Sequence, residues 1–169
     1  AHVVLLLVDA SAGVTDLDQD LAQRVRKSGR HSIVVVNKMD RPGADFQRVL
    51  DMMRSKLHAI PVAVQLPLGT EDQFRGIIDL VRMKALAYKD ETMGADYELI
   101  DIPSDLLDRA QEAREKMVEA IAETDDLLLE KYLSGEEVSI EELKVALRRA
   151  TIRHPGWIRA VRKPRSSSE

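Results

Sequence analysis

The sequence is organised around a short apolar run that ends in residues of a different chemistry. Residues 32–36 are mostly β-branched, and apolar and polar side chains do not alternate along them. This pattern is typical of a strand that is covered on both faces in a parallel sheet. The run leads directly into Asn37, Lys38, Met39 and Asp40. Because open α/β sheets bind ligands at the carboxyl ends of their strands, we expect a small-molecule site here.

The polar side chains after this strand suit a guanine base. A carboxylate such as Asp40 accepts two hydrogen bonds, and guanine offers a ring N–H beside an amino group where adenine offers an acceptor. Asn37 can bond to the base and to neighbouring loops, the aliphatic stem of Lys38 can lie on the purine face, and Met39 is expected to point into the core. Such a site can reject an analogue that leaves its polar groups unpaired by a factor on the order of 10⁴. The alternative is a loop of turn-forming residues that leads into the Pro-Gly pair at 42–43.

Composition limits the classes of function. The 169 residues, 44% of them hydrophobic, suffice for one ordinary domain or one and a half small ones. The longest apolar run, residues 3–8, is too short to cross a membrane and no leader precedes it, so we expect a soluble, unexported protein. Without cysteine there are no disulfides or thiolate metal sites, and the four histidines lack ligand spacing, so no metal site is expected.

Nucleic-acid binding by this chain is not expected. Residues 153–169 carry five basic side chains and one acidic one, a balance of +4, so the overall charge of −4 leaves −8 on the remainder. An acidic body is a poor match for a phosphate backbone. Only 4% of the residues are aromatic, which leaves no stacking platform for single strands.

The first part of the chain follows a strand–helix–strand pattern. Residues 3–8 predict a buried strand that ends at Asp9, for which we expect a turn or capping role before Gly13. Thr15 with Asp18 predicts a helix start. The apolar stripe of this helix consists of Leu17, Leu21 and Val25. A right-handed crossover would then make the strand at 3–8 parallel to the strand at 32–36.

The pattern continues and then changes. Asp45 precedes a helix with one apolar face, and residues 61–66 predict a further strand. From residue 69, turn formers separate short strand-like runs, which indicates a small antiparallel ribbon. Three helical stretches follow up to residue 150, of which the second ends at Gly135 and the third starts with a Ser139–Glu142 capping box.

Several segments together carry a family resemblance. They are Asn-Lys-Met-Asp-Arg at 37–41 with Gly-Ala-Asp at 43–45, Gln-Leu-Pro at 65–67, Gly-Ile-Ile-Asp-Leu at 76–80 and Glu-Lys-Tyr-Leu-Ser-Gly-Glu-Glu at 130–137. In this order they resemble translation elongation factor G, over residues 1 to about 152. The resemblance implies an α/β fold, an incomplete P-loop-GTPase-type parallel sheet with helices on both faces, followed by an α+β insertion subdomain. The expected units are 1–68, the C-terminal half of a GTP-binding domain, and 69–152, the insertion, followed by a basic tail at 153–169.

The resemblance also implies roles for particular residues. Asn37, Lys38 and Asp40 match the guanine-specificity motif of the family. Glu119, Glu123 and Asp126 fall where the inserted subdomain presents carboxylates to the ribosomal stalk protein, on one exposed helical face if the helix extends that far. The alternative for these three residues is an ordinary solvated acidic stripe.

The family hydrolyses GTP on the ribosome to drive translocation, which implies a cytoplasmic protein with the ribosome as partner. This sequence holds no Gly-x-x-x-x-Gly-Lys-Ser/Thr loop, and the switch segment lies before the equivalent of Ala1 in the family. We therefore expect GTP or GDP to be contacted through the base only, with no catalytic residue and no Mg²⁺ site in this chain, and no hydrolysis by the chain alone. The alternatives are a fragment of a ribosome-protection or release-factor GTPase, or a non-catalytic stalk-docking module.

The end of the chain departs from the family. After Ile152 the family continues into another strand and a second guanine loop, typically Ser-Ala-Leu, whereas this chain has a basic, serine-ended tail. The tail is either foreign to the fold or a divergent end, and in both cases we expect disorder beyond Trp157. We also expect the parallel sheet to leave apolar faces uncovered, so that the first seventy residues are loosely packed.

Overall fold

A parallel sheet forms the first half of the protein. The computed structural model describes residues 3–89, 96–153 and 157–162, with the backbone alone for 153 and 157–162. The strands of the sheet are β1 (Val3–Asp9), β2 (His31–Asn37), β3 (Ile60–Ala63) and β8 (Trp157–Arg162). They lie in the order β1-β2-β8-β3, with every pair parallel. The expected mixed α/β architecture with a parallel sheet is confirmed.

Two helices connect the strands of this sheet, and local sequence signals fix their ends. Helix α1 (Asp16–Lys27) starts with the predicted capping box, in which Thr15 Oγ1 accepts from the Asp18 N–H at 3.3 Å and Asp18 Oδ2 accepts from the Thr15 N–H at 2.8 Å. Helix α2 (Phe46–Leu57) is capped by Asp45. It buries the apolar face that the sequence predicts, so it covers the sheet.

The second half pairs an antiparallel sheet with three helices. The strands of this sheet are β4 (Gln65–Leu68), β5 (Gly76–Asp79), β6 (Lys84–Tyr88) and β7 (Tyr97–Ile100), and they lie side by side in chain order. A short 3₁₀ helix, Glu71–Gln73, follows β4. The helices are α3 (Ser104–Ala122), α4 (Asp126–Ser134) and α5 (Ile140–Arg153). None of the helices within the described ranges combines the length and apolar character needed to cross a bilayer.

The start of α5 shows how a predicted cap is reinforced by tertiary contacts. Glu142 Oε2 accepts from the Ser139 N–H at 3.0 Å, which confirms the capping box, while Glu142 Oε1 bonds to Lys131 of α4 at 2.5 Å. The bond from Lys131, followed by those from Ser139, lowers the pKa of Glu142 to about 2. The carboxylate therefore stays ionised at neutral pH, and its stabilising effect is lost progressively as the pH falls from the ordinary pKa of 4.5 to about 2.

The strand predicted at 61–66 is divided between the two sheets. β3 belongs to the parallel sheet and β4 to the antiparallel one, so the boundary between the halves lies at Val64 rather than after residue 68. Pro61 and Pro67 both lie inside strands, which is possible because β3 and β4 are each at an edge of a sheet. The sequence pattern did not reveal the switch because no glycine or proline separates the two strands between Pro61 and Pro67.

The prediction of disorder beyond Trp157 is wrong for residues 157–162. These residues form β8, which fills the place between β2 and β3, with Ala160 opposite Val34 and Ala63. Without β8, the facing edges of β2 and β3 would lack hydrogen-bond partners. Backbone pairing with both strands therefore orders this segment despite its basic character. Residues 154–156 and 163–169 lie outside the described residues.

Strand β1 is covered on one face only. Val8 is buried, but Leu5 and Leu7 are 62% and 57% exposed, so the prediction of a fully buried strand is wrong. On α1, Leu17 and Leu21 are also exposed, and Leu21 lines a groove of about 250 Å³ with Leu5 and Leu7. The expected uncovered apolar face of the sheet is therefore confirmed. The strand's composition did not reveal this, because coverage depends on neighbours that the strand does not encode.

We predict that Leu7→Thr lowers the binding of an apolar fluorescent dye, anilinonaphthalene sulfonate, more than Leu99→Thr does. The two leucines are matched in exposure, 57% and 55%, and both lie in strands, but only Leu7 lies in the apolar groove. The measurement is dye fluorescence at equal protein concentration. Equal decreases for the two variants would contradict this assignment of the exposed apolar surface.

Candidate functional site

Parallel pairing of β1 and β2 brings two polar strand ends to one edge of the sheet. Asp9 and Asn37 are register partners, and the Ala10 N–H donates to the Asn37 carbonyl at 2.9 Å. The chain therefore leaves both strands at the same level. This is the carboxyl edge, where open α/β sheets bind their ligands.

The loop after β2 separates one apolar side chain from its polar neighbours. Lys38 has a φ of +60°, in the left-handed region that residues other than glycine rarely adopt. Met39 is completely buried, as predicted, while Lys38 and Asp40 are partly exposed. The loop is thus anchored in the core by Met39. The side chains with hydrogen-bonding capacity remain at the strand-end surface, where a ligand can reach them.

Asp9 has a larger role than the sequence indicated. Its Oδ1 accepts from the N–H and Oγ of Ser11, at 2.9 and 2.6 Å, as expected of a turn residue. Its Oδ2 is bonded to Lys38 Nζ at 2.7 Å, which the sequence did not predict. Burial acts to raise the pKa of Asp9, but the bonds from Lys38, Ser11 and Ala12 together hold this pKa well below its usual range. The carboxylate is therefore ionised at neutral pH and pairs with the ammonium group.

Arg48 connects the loops that follow the two strands. Its guanidinium donates to the carbonyl oxygens of Ala10 and Ser11, at 3.0 and 2.7 Å, and of Gly43, at 3.1 Å. The Asp45 N–H adds a bond to the Ala10 carbonyl at 3.2 Å. Sequence analysis did not identify Arg48, because an exposed arginine on a helix gives no signal of which distant carbonyls it meets.

A second brace comes from the antiparallel half of the protein. The Glu71 N–H donates to the Met39 carbonyl at 3.0 Å, and Glu71 Oε1 accepts from the Gly43 N–H at 2.8 Å. Glu71 lies in the 3₁₀ helix after β4 and has a φ of +52°. The loop at 37–43 is therefore held by both halves of the protein. The sequence alone did not reveal this contact.

The three acidic residues assigned to partner binding lie elsewhere. Glu119, Glu123 and Asp126 are all exposed. Helix α3 ends at Ala122, with Glu123 as its cap, and Asp126 begins α4, so the helix does not extend far enough to place Asp126 on the same face. The chain breaks here because Asp125 caps α4, where its carboxylate accepts from the Leu128 N–H at 3.3 Å.

The described residues contain no group of three or more His, Cys, Asp or Glu side chains that could hold a metal ion. The strand-end site offers instead an amide, an ammonium group and carboxylates, with the loop backbone fixed from several directions. These groups suit a polar ligand with both donors and acceptors.

Comparisons with known proteins identify relatives of this chain. Residues 1–147 match the family described as the elongation factor Tu GTP binding domain. Elongation factor G of Aquifex pyrophilus is 58% identical over 120 residues, which cover 71% of this chain and 17% of that protein. A crystal structure from Thermus thermophilus has a TM-score of 0.78 and 33% identity, covering 93% of this chain and 23% of the other. The chain thus spans about a fifth of the length of these relatives.

We predict that Arg48→Lys lowers the free energy of unfolding by about 1–2 kcal/mol. Lysine keeps the charge, but its side chain is shorter, so its ammonium group does not reach the position of Arg48 Nη2, which donates all three bonds to the carbonyl oxygens. The measurement is urea denaturation followed by circular dichroism. The control is Arg54→Lys on the same helix, whose partner Asp51 is also exposed, and for which we expect a change within about 0.5 kcal/mol. Equal effects of the two substitutions would show that Arg48 does not hold the loops together.

Proposed function

We propose, from the premise that this chain belongs to the family of the elongation factor Tu GTP binding domain, that its loop at 37–40 binds the guanine base of GTP or GDP. The observation that carries the proposal is the burial of Met39 between two partly exposed polar neighbours at the carboxyl end of β2. The backbone of the loop is fixed before any ligand binds. Little ordering is then required of it on binding.

Each side chain has a separate task in this proposal. The Asp40 carboxylate accepts from the ring N–H and the amino group of guanine, a pair of donors that adenine lacks. The Asn37 amide bonds to the base and ties it to the surrounding loops. The aliphatic stem of Lys38 covers one face of the purine. Together these contacts would select guanine over adenine.

In this proposal the residues at 37–40 contact the base of the nucleotide and not its phosphates. The sequence holds no Gly-x-x-x-x-Gly-Lys-Ser/Thr loop to surround the phosphates and place a hydroxyl on magnesium. We therefore propose that the 169 residues bind guanine nucleotides weakly, do not hydrolyse GTP alone, and leave the Mg²⁺ contacts to other residues. Hydrolysis of GTP during translocation on the ribosome, in the cytoplasm, is the proposed role of the protein to which such a segment contributes.

The acidic residues at the end of α3 support a proposal about the partner. Glu119 and Glu123 are exposed on the last turn and cap of α3, and Asp126 is exposed on the first turn of α4. Their charges could meet a basic surface of the ribosomal stalk protein. Binding to the stalk protein would also be the function of the chain if it acted only as a docking module, without nucleotide. Of the related GTPase classes, elongation factor G is favoured over ribosome-protection and release factors by the relative from Aquifex pyrophilus.

We predict that Asp40→Asn exchanges the base preference of the site. An asparagine amide offers one donor and one acceptor, which match the ring N–H and carbonyl of xanthine but leave a guanine donor opposite another donor. GDP binding should weaken about tenfold or more, since an unpaired polar group costs about 1–3 kcal/mol, while binding of xanthosine diphosphate should improve. The measurement is titration of each nucleotide, followed by NMR amide shifts of the chain.

The control for this substitution is Asp20→Asn, which removes an equal charge from a surface pair on α1. It should leave the affinities for both nucleotides unchanged. An unchanged preference in Asp40→Asn, or no response of residues 37–40 to GDP in the unsubstituted chain, would refute the base-binding proposal.

We predict that the double substitution Glu119→Gln and Glu123→Gln weakens binding to purified ribosomal stalk protein about threefold to tenfold, with a smaller difference at high salt. The measurement is isothermal titration calorimetry. The control is Glu136→Gln with Glu137→Gln, which removes two exposed charges after α4. If the control weakened binding as much, net charge rather than this surface would determine the interaction.

A further inference from the structure

One ion pair at the strand-end site is unexplained by the base contacts just proposed. Lys38 is the residue whose stem should cover the purine face, yet its ammonium group is already bonded to Asp9 at 2.7 Å. Asp9 lies at the end of the neighbouring strand, opposite Asn37 in the register. The lysine side chain therefore bridges from the end of β2 to the end of β1.

Asp9 is itself held firmly in place. Its second carboxylate oxygen accepts from the N–H and Oγ of Ser11, at 2.9 and 2.6 Å, and from the Ala12 N–H at 3.3 Å. The side chain of Asp9 is 27% exposed and that of Lys38 is 41% exposed, so water reaches the pair only in part. A carboxylate with four donors around it is a fixed anchor rather than a mobile surface charge.

Lys38 is fixed at its backbone as well. Its φ of +60° defines the direction in which the side chain leaves the loop, and the buried Met39 next to it prevents the loop from shifting. A free lysine has four rotatable bonds, and much of their freedom would be lost when the stem is laid against a flat ligand. Here the loss has already occurred, because both ends of the side chain are held.

We propose that Asp9 is a positioning residue for guanine recognition, which holds the Lys38 ammonium so that the aliphatic stem stands ready as one wall of the base site. This inference rests on the proposed function. It adds to the base-binding motif a residue from a different strand, 29 positions earlier in the sequence. Asp9 does not contact the base, and its effect acts through Lys38 alone.

The test is a double-mutant cycle on the 169-residue chain with GDP as the probe. Asp9→Asn should raise the Kd for GDP about threefold to tenfold, the range expected for ordering one long side chain in advance. Lys38→Met should have a similar effect, and the double variant should be no weaker than Lys38→Met alone. The ammonium ¹⁵N signal of Lys38, observed by NMR at low temperature without nucleotide, should be visible in the unsubstituted chain and lost in Asp9→Asn.

A matched control is Asp79→Asn. Asp79 also ends a strand and caps a turn, accepting from the N–H groups of Val81 and Arg82 at 2.9 and 3.1 Å, but it lies at the end of β5 in the other sheet. It should leave the Kd for GDP unchanged. An effect of Asp79→Asn equal to that of Asp9→Asn would identify a general loss of stability instead of positioning.

The possible failures are distinguishable. If Asp9→Asn loses the Lys38 signal but binds GDP as tightly as the unsubstituted chain, the positioning role is refuted and the base-binding proposal stands. If Asp9→Asn weakens binding equally in the Lys38→Met background, Asp9 does not act through Lys38 and the inference is again refuted. If the unsubstituted chain does not bind GDP at all, the base-binding proposal fails and the positioning role fails with it.

Discussion

The parallel pairing of β1 with β2 is the constraint on which the rest of the site depends. It sets Asp9 level with Asn37, joins the two exits by the bond from the Ala10 N–H to the Asn37 carbonyl, and brings Lys38 within reach of Asp9. A shift of one residue in the register would turn the buried side chains of β2 outward and separate these groups. The hydrophobic pattern of the strands therefore also places the polar residues.

The loop that follows β2 is braced from both halves of the protein. Arg48 of α2 binds the carbonyl oxygens of the loops after both β1 and β2, and Glu71 binds the Met39 carbonyl and the Gly43 N–H from the antiparallel half. Two of the residues concerned, Lys38 and Glu71, have a positive φ. Such conformations cost free energy and persist only where surrounding contacts enforce them, and they concentrate at functional sites. The bracing is thus consistent with a loop that is shaped before a ligand arrives.

The parallel sheet is well covered at its centre and poorly covered at its first strand. Val34 and Val36 of β2 are completely buried, while Leu5 and Leu7 of β1 face outward. Met117 and Ile121 of α3 and Leu143 of α5 are also buried, and they belong to the same hydrophobic core cluster as Val34 and Val36. The described residues therefore cover β2 well and leave one face of β1 exposed.

The sequence by itself determined the classes of most elements and the caps at Thr15, Asp45 and Ser139, and it indicated the loop at 37–40 as a candidate site, because each depends on residues within a few positions of one another. Only the tertiary structure determined which distant segments of the chain contact one another. The ion pair of Asp9 with Lys38, the division of residues 60–68 between two sheets and the insertion of β8 join segments that are distant in the chain. No local sequence pattern predicts such contacts. They form because an inner strand edge without hydrogen bonds, or a partly buried charge without an opposite charge, costs free energy.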